Sequence, residues 1–292
     1  MRKLTNLAGL PAPIFRAIKK GWYEGDPSAF CSVSSLIKEP KEVILTMRHE
    51  DEIVEDASSK IWALLGSAVH KVLEAGEGEN DLAEERLSVE ILGKKITGMF
   101  DVFANGIIQD YKVTSTWTVT LNDDDFKKWT EQLNCYAYML RQHGFNVRGL
   151  QVNAIFRDWS KSKSKREKNY PKEQVKVVPL KLWTEDEQRQ FMEEKVSALL
   201  KWMDIKDDGI DVCSQEERWQ DPTKYAVKKE GRKSAVRVLG SEEKAEELIA
   251  EKSFSDVKGE YFIEVRPSVP KKCESYCAVK EFCNFWKEYS NE

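Results

Sequence analysis

The feature that most constrains this chain is the dipeptide Asn105-Gly106, set between two runs rich in apolar residues, 96–104 and 107–114. Asn-Gly in a two-residue loop favours a type I′ turn, because both positions need positive φ and the turn's twist matches that of paired strands. The turn also sets a register. Ala104 opposes Ile107, and counting outward places Asp101 opposite Asp110. Opposed side chains in an antiparallel pair lie ~4.5–5.5 Å apart on one face. Lys112, two residues beyond Asp110, points to that same face.

Two carboxylates held this close repel, and one stays protonated unless a cation lies between them. Mg²⁺ or Mn²⁺ resolves the conflict, since both prefer oxygen ligands and take few protein carboxylates. The ammonium of Lys112 can orient a water or balance charge building on a phosphate. Taken alone, the three charges are a surface cluster on an ordinary hairpin. Met99, Phe100, Val102, Phe103, Ile107 and Ile108 around them predict a mostly buried sheet, where idle acids are costly. A metal site is the reading.

The hairpin sits in a recognisable order of elements. A lead-in over 1–58, irregular and partly helical, precedes a helix near 59–75 whose Ile61, Leu65, Val69 and Val72 recur at helical spacing. Strands are expected over 87–92, 96–104 and 107–114, then a helix over 126–143 with Trp129, Leu133, Tyr136 and Leu140 as its buried stripe. A fourth strand, 149–156, follows. This order describes an α/β core in which a helix, a three-strand antiparallel meander, a crossover helix and a fourth strand span 59–180. A basic run over 161–172 reads as a solvated loop with the option of touching phosphate. An appendage over 181–292 begins with a helix that Thr184 and Glu187 cap, and continues as a strand, strand, helix and strand, an α+β unit.

On the flanking helices, His70 lies one turn after Gly66, which leaves space beside its ring. Gln132 and Tyr136 are four apart and share a face. Together, His70 in GSAVH, Asp101 in GMFD, the run Asp110-Tyr111-Lys112 and QLNCY over 132–136 resemble, in their order, the motifs of the PD-(D/E)xK nuclease superfamily, with RecB-like and phage-type exonucleases the nearest in kind. The resemblance covers about residues 1–160 and implies a restriction-endonuclease-like core. It implies that His70, Asp101 and Asp110 ligate Mg²⁺ or Mn²⁺, with the carbonyl of Tyr111 as a further ligand. It also implies that Lys112 assists the attacking water and that Gln132 and Tyr136 line the DNA site. Glu90 on the first strand is the candidate for a second metal, against the plainer reading of a solvent-facing glutamate. Phosphate contacts are expected from Lys127, Lys128, Lys161, Lys163, Lys165 and Arg166.

The C-terminal segment carries a second cluster: Cys273, Cys277 and Cys283, spaced C-x3-C-x5-C. Clustered thiols in a reducing compartment point to a metal more than to disulfides. RecB-like relatives similarly hold a [4Fe–4S] cluster after the nuclease core, which needs four thiolates. Cys213 is the choice for the fourth and Cys31 its rival, while zinc on the same thiols stays open. Cys135 reads as an unligated core cysteine.

Composition narrows the remaining classes. Of 292 residues 41% are hydrophobic and 33% charged, enough for a core and too charged for a membrane protein. The N-terminal stretch has no apolar run of the signal-peptide kind, and six cysteines are too few for a disulfide scaffold, so a cytoplasmic protein is expected. A net charge of -4 means that DNA must be held by local patches. The reading is a metal-dependent DNA exonuclease of phage or prophage recombination or end processing, with a single-strand annealing protein as a partner by resemblance. Its alternatives are an endonuclease or CRISPR-adaptation-type trimming enzyme, and an idle nuclease fold that only binds DNA or a partner.

Overall fold

The structure is a computed structural model that describes residues 2–21, 25–76, 78, 81–120, 126–255 and 260–291. It divides into two compact units, Met1–Lys206 and Asp207–Glu292. The first holds β1 (Lys3–Thr5), α1 (Ala12–Lys20), β2 (Cys31–Ser32), α2 (Val33–Leu36), α3 (Pro40–His49), β3 (Val54–Asp56), α4 (Ile61–Leu73), β4 (Leu82–Ala83), β5 (Arg86–Ile91) and β6 (Lys94–Met99). It continues through β7 (Val102–Ala104), β8 (Ile107–Thr114), α5 (Lys127–Gln142), β9 (Gly149–Phe156), α6 (Lys161–Arg166), β10 (Val175–Leu180) and α7 (Glu185–Met203). The second unit holds β11 (Lys224–Lys229), β12 (Arg237–Leu239), α8 (Glu242–Ser255), β13 (Tyr261–Arg266), α9 (Lys271–Ser275) and α10 (Asn284–Tyr289).

A five-stranded sheet ordered β10-β9-β8-β7-β4 forms the centre of the first unit. β8 and β9 run parallel in register from Ile107↔Gly149 to Thr114↔Phe156, and α5 makes the connection between them. That helix is nearly all core: Leu133 to Leu140 are buried without a break, whereas Trp129 is only half-buried. Its run of apolar and small side chains needs cover on several sides, and it packs on β8, β9, β5 and α7. The expected turn is present. Asn105 has φ 51° and Gly106 φ 78°, and Ala104 pairs with Ile107, Phe103 with Ile108 and Val102 with Gln109.

Three expectations need correction. The run 96–104 is not one strand: β6 ends at Met99 and pairs with β5 and β2 in a separate three-stranded sheet, while β7 begins at Val102 in the central sheet. The meander is therefore shared between two sheets. The break has a local cause, because the Asp101 side chain accepts the Tyr111 N–H at 2.7 Å and its carbonyl accepts the Glu84 N–H at 2.9 Å. Such side-chain bonds compete with a ladder. Asp101 thus lies just past the last ladder pair rather than squarely opposite Asp110.

The second correction concerns the unit boundary, which falls after Lys206 rather than after 180, because α7 packs on α3 and α5. Its capping box forms as expected, with the Glu187 N–H donating to Thr184 Oγ1 at 3.2 Å and the Thr184 N–H to Glu187 Oε2 at 2.7 Å. Third, the basic run opens with the short helix α6 rather than a plain loop, and β10 after it pairs with β9 along Val175↔Ile155 to Leu180↔Leu150. In the second unit the order strand, strand, helix, strand is as expected, with β11 central between β12 and β13.

Candidate active site

Asp110 is the centre of the site. It lies in the middle of β8, a strand that packs on α4 and α5, and is 3% exposed. Its Oδ2 is sheltered from solvent and accepts no well-formed hydrogen bond among the described residues, although Lys112 Nζ stands 2.7 Å away. Burial pushes the Asp110 carboxyl up to about 6, with Lys112 opposing the rise and Asp101 adding to it. A buried acid with one cation and one like charge beside it is the kind of group found where chemistry is done.

Asp101 and His70 close the cluster from the other side. The Asp101 carboxylate reaches across to the Tyr111 N–H with Oδ2, and its Oδ1 is 3.5 Å from His70 Nδ1. His70 projects from α4, and its Nε2 is 2.9 Å from the Tyr111 carbonyl oxygen. A carbonyl can only accept, so Nε2 donates to it, and Nδ1 is the nitrogen that faces Asp101. Metal-binding histidines are commonly held this way, one nitrogen donating to a fixed acceptor and the other presented to the ion. No atom within 4 Å would meet a Cβ built at Gly66, one turn before His70 on α4.

The donor set of two carboxylates, an imidazole nitrogen and a peptide carbonyl suits a hard divalent cation. Among the described residues, however, no three His, Cys, Asp or Glu side chains converge as a ready-made metal site. Two of the donors are engaged with one another instead: Asp101 with the Tyr111 amide and the Tyr111 carbonyl with His70. The residues therefore fit a cation by chemistry, and the sheltered Asp110 Oδ2 is the atom that most lacks a partner.

On α5, Gln132 Nε2 donates to the Tyr136 hydroxyl at 3.0 Å. Tyr136 is 4% exposed, and its phenol is pushed above its ordinary value by burial, with Asp110 and Asp101 adding to the rise. α5 packs on β8, which puts the pair on the helix beside this centre. Glu90 does not join it. This glutamate is exposed on β5 opposite Lys95, in the smaller sheet. The acid that does approach Asp101 went unremarked in the sequence: Glu84, whose N–H bonds the Asp101 carbonyl and whose carboxyl shares a hydrogen bond with Glu74 at the end of α4. The Glu84 carboxyl is raised by desolvation, by the hydrogen bond it shares with Glu74, and by Asp101. Glu84 also has φ 48°, an uncommon value for a non-glycine residue. No periodicity in the sequence marks Glu84, because a loop brings it here, whereas Glu74 continues α4 one turn after His70.

Of the expected phosphate contacts, Lys128 is engaged with buried Glu39 at 2.9 Å, while Lys127 is exposed at the start of α5. Lys161, Lys163, Lys165 and Arg166 are all exposed on α6, with Lys163 over the Tyr170 ring.

The remaining cysteines separate clearly. Cys31 and Cys135 are buried in the first unit, and burial alone pushes the Cys31 thiol up to about 12. Cys213, Cys273, Cys277 and Cys283 are half-buried and all lie in the second unit. Arg218 links their segments: its guanidinium donates to the Cys213 carbonyl at 2.5 Å, and its own carbonyl accepts the Lys272 N–H at 3.1 Å. Burial raises the Cys273 thiol, and Cys283 nearby raises it further.

No family model matches the chain, and no curated protein matches it. Among solved structures, it is similar to SSO0001 at 16% identity and a TM-score of 0.42, covering 63% of this chain and 83% of that one. It is similar to a phage-related exonuclease from Haemophilus somnus 129PT at 16% identity and a TM-score of 0.38, covering 59% and 91%. A candidate exonuclease from Eubacterium rectale gives 14% identity and 0.31, covering 66% and 74%. Scores this low carry no argument about fold or activity, and the site rests on its own geometry.

Proposed function

We propose that the chain hydrolyses phosphodiester bonds in DNA as a divalent-metal-dependent exonuclease, on a restriction-endonuclease-like core. The observation that carries this reading is the buried Asp110 carboxylate, beside Lys112 and on the same centre as Asp101 and His70. The idle-module alternative has no use for a buried acid raised to about 6.

Asp110, Asp101 and the Nδ1 of His70 would hold Mg²⁺ or Mn²⁺, which when bound makes water a better nucleophile and neutralises charge on the phosphoryl oxygens. The Tyr111 peptide orients two of these side chains, its amide holding Asp101 and its carbonyl accepting from His70 Nε2. Lys112 is within reach of the same centre, so its ammonium can orient the attacking water or a non-bridging oxygen. Water adds to phosphorus, the P–O bond to the sugar oxygen breaks, and that oxygen takes up a proton to balance the one the water loses, leaving a phosphomonoester and an alcohol. Gln132 and Tyr136 offer an amide and a hydroxyl to the strand being cut. In the second unit, Cys213, Cys273, Cys277 and Cys283 would bind a [4Fe–4S] cluster or zinc as a structural tie.

The test is a Mg²⁺-dependent digest of linear DNA labelled separately at the 5′ and 3′ ends, with covalently closed circles alongside. Asp110→Ala and Lys112→Ala are expected to lower the rate by at least about 10²-fold with unchanged folding. Undiminished cleavage by either variant would refute the site. Cutting of the closed circle would make the enzyme an endonuclease instead.

A further inference from the structure

The carboxyl ends of β8 and β9 carry exposed aromatic residues that the hydrolytic site does not use. Trp62, in the first turn of α4, is 60% exposed, and Trp117, in the 3₁₀ turn Thr116–Val119 after β8, is 67% exposed. Indoles are seldom left this open without a task, since each carries a large apolar face. The Arg157 guanidinium lies 4.2 Å from the Trp62 ring centroid. Arg157 follows β9 directly, and its N–H donates to the Thr114 carbonyl at the end of β8. Next to it, Asp158 accepts the Thr116 N–H at 2.7 Å. These bonds place the Trp62–Arg157 pair and the Trp117 turn at the same end of the strand pair, beyond Lys112. A cleft of about 440 Å³ opens there, with Trp117, Asp158, Lys163 and Tyr170 in its lining.

We propose that unpaired bases of a DNA strand stack on Trp62 and Trp117, so that the substrate class is single-stranded DNA or a frayed single-stranded end. This rests on the nuclease reading above. Stacking on protein aromatics tolerates any sequence because every base has a π-face, and it needs bases that are already out of a duplex. The neighbouring cations suit the strand's phosphates: Arg157 and Lys163 are both exposed, and the carboxylate beside them is occupied by Thr116. The spacing also fits. Trp62 precedes His70 by eight residues on one helix, about 12 Å along its axis. At roughly 3.4 Å per stacked nucleotide, that puts the platform some three to four nucleotides from the cleavage centre.

The experiment measures binding with cleavage switched off, using the full chain in EDTA and a fluorescein-labelled oligo-dT of about 16 nucleotides. Anisotropy titrations compare wild type with Trp62→Ala, Trp117→Ala, Arg157→Ala and the conservative Trp62→Phe, and a blunt duplex of equal length serves as second probe. Wild type is expected to prefer the single strand. Each Trp→Ala change should weaken that binding about 5- to 100-fold, Trp62→Phe should retain most of it, and duplex binding should stay constant. Unchanged oligonucleotide binding in both Trp→Ala variants, with native circular dichroism, would overturn the proposal, as would equal wild-type affinity for the duplex. A chain that binds the oligonucleotide through these tryptophans yet cuts no DNA with Mg²⁺ would leave the stacking standing and remove the nuclease reading.

Discussion

At the scale of single residues, Asp110 carries opposite consequences for function and stability. Burial pushes its carboxyl up to about 6 in the folded chain, against 3.8 for the free group. Between those values the folded state holds a proton that the unfolded state has released, so stability falls as pH rises through the window. At pH 7 the full loss amounts to about 3 kcal/mol as an upper figure. Asp110→Asn keeps the shape and removes the charge. In EDTA the variant should therefore melt several degrees above wild type at pH 8, with the gap closing by pH 4, while cleavage is lost. A gap of equal size at both pH values would show that the buried charge is not its source. Mg²⁺ should narrow the gap at pH 8 by stabilising only the wild type, because a ligand bound to the folded state alone raises its stability. The site's residue types were readable from the sequence because Asp101, Asp110 and Lys112 hang on one local turn. Glu84 was not, since the chain brings it near Asp101 through a loop that has no period.

At the scale of elements, the site depends on how closely α5 approaches the smaller sheet. A Cβ at Gly98 of β6 would stand 2.8 Å from Tyr136 Cε1 and 2.9 Å from Met139 Sδ. The Met139 thioether can turn aside, but the buried Tyr136 ring cannot without moving its helix. Gly98→Ala is expected to cost about 1–3 kcal/mol through overpacking and to slow cleavage by displacing Gln132 and Tyr136. Thermal melting and the rate on linear DNA check both, and an unchanged melting temperature would show that α5 shifts freely. The legibility of the elements followed the same division between local and remote causes. Asn105-Gly106 and the Thr184 capping box act within four residues, and both formed as expected. The break at Asp101 depends on the amide of Tyr111, and β2 exists only because Cys31 and Ser32 pair with Ile96 and Thr97 far along the chain. Periodicity within a window does not carry that information.

At the scale of the whole molecule, the two units differ in what holds them together. The first buries Phe100, Ile108, Leu133, Met139, Leu140, Met192 and Leu199 almost completely. The described core of the second comes down to Ile210, Ala226, Val227, Ala245 and Val279, while Trp219, Phe262, Val265 and Tyr276 are open to solvent. A unit with so thin a core commonly needs a staple. Its four half-buried thiols, on segments that Arg218 links, are the candidates to supply one, although no three of them converge as a ready-made metal site among the described residues. Metal bound only by the folded state adds its binding free energy to folding. Anaerobically purified protein should therefore be brown with broad absorption near ~400 nm for iron–sulfur, or colourless with stoichiometric zinc. Cys273→Ser and Cys277→Ser should each deplete that metal. Hydrogen exchange on the intact chain then locates the effect: removing the metal should deprotect 207–292 and leave 2–206 unchanged. Metal-free protein whose second unit is already fully protected would exclude the staple, and the nuclease centre would stand without it, because Asp101, Asp110, Lys112 and His70 all lie in the first unit.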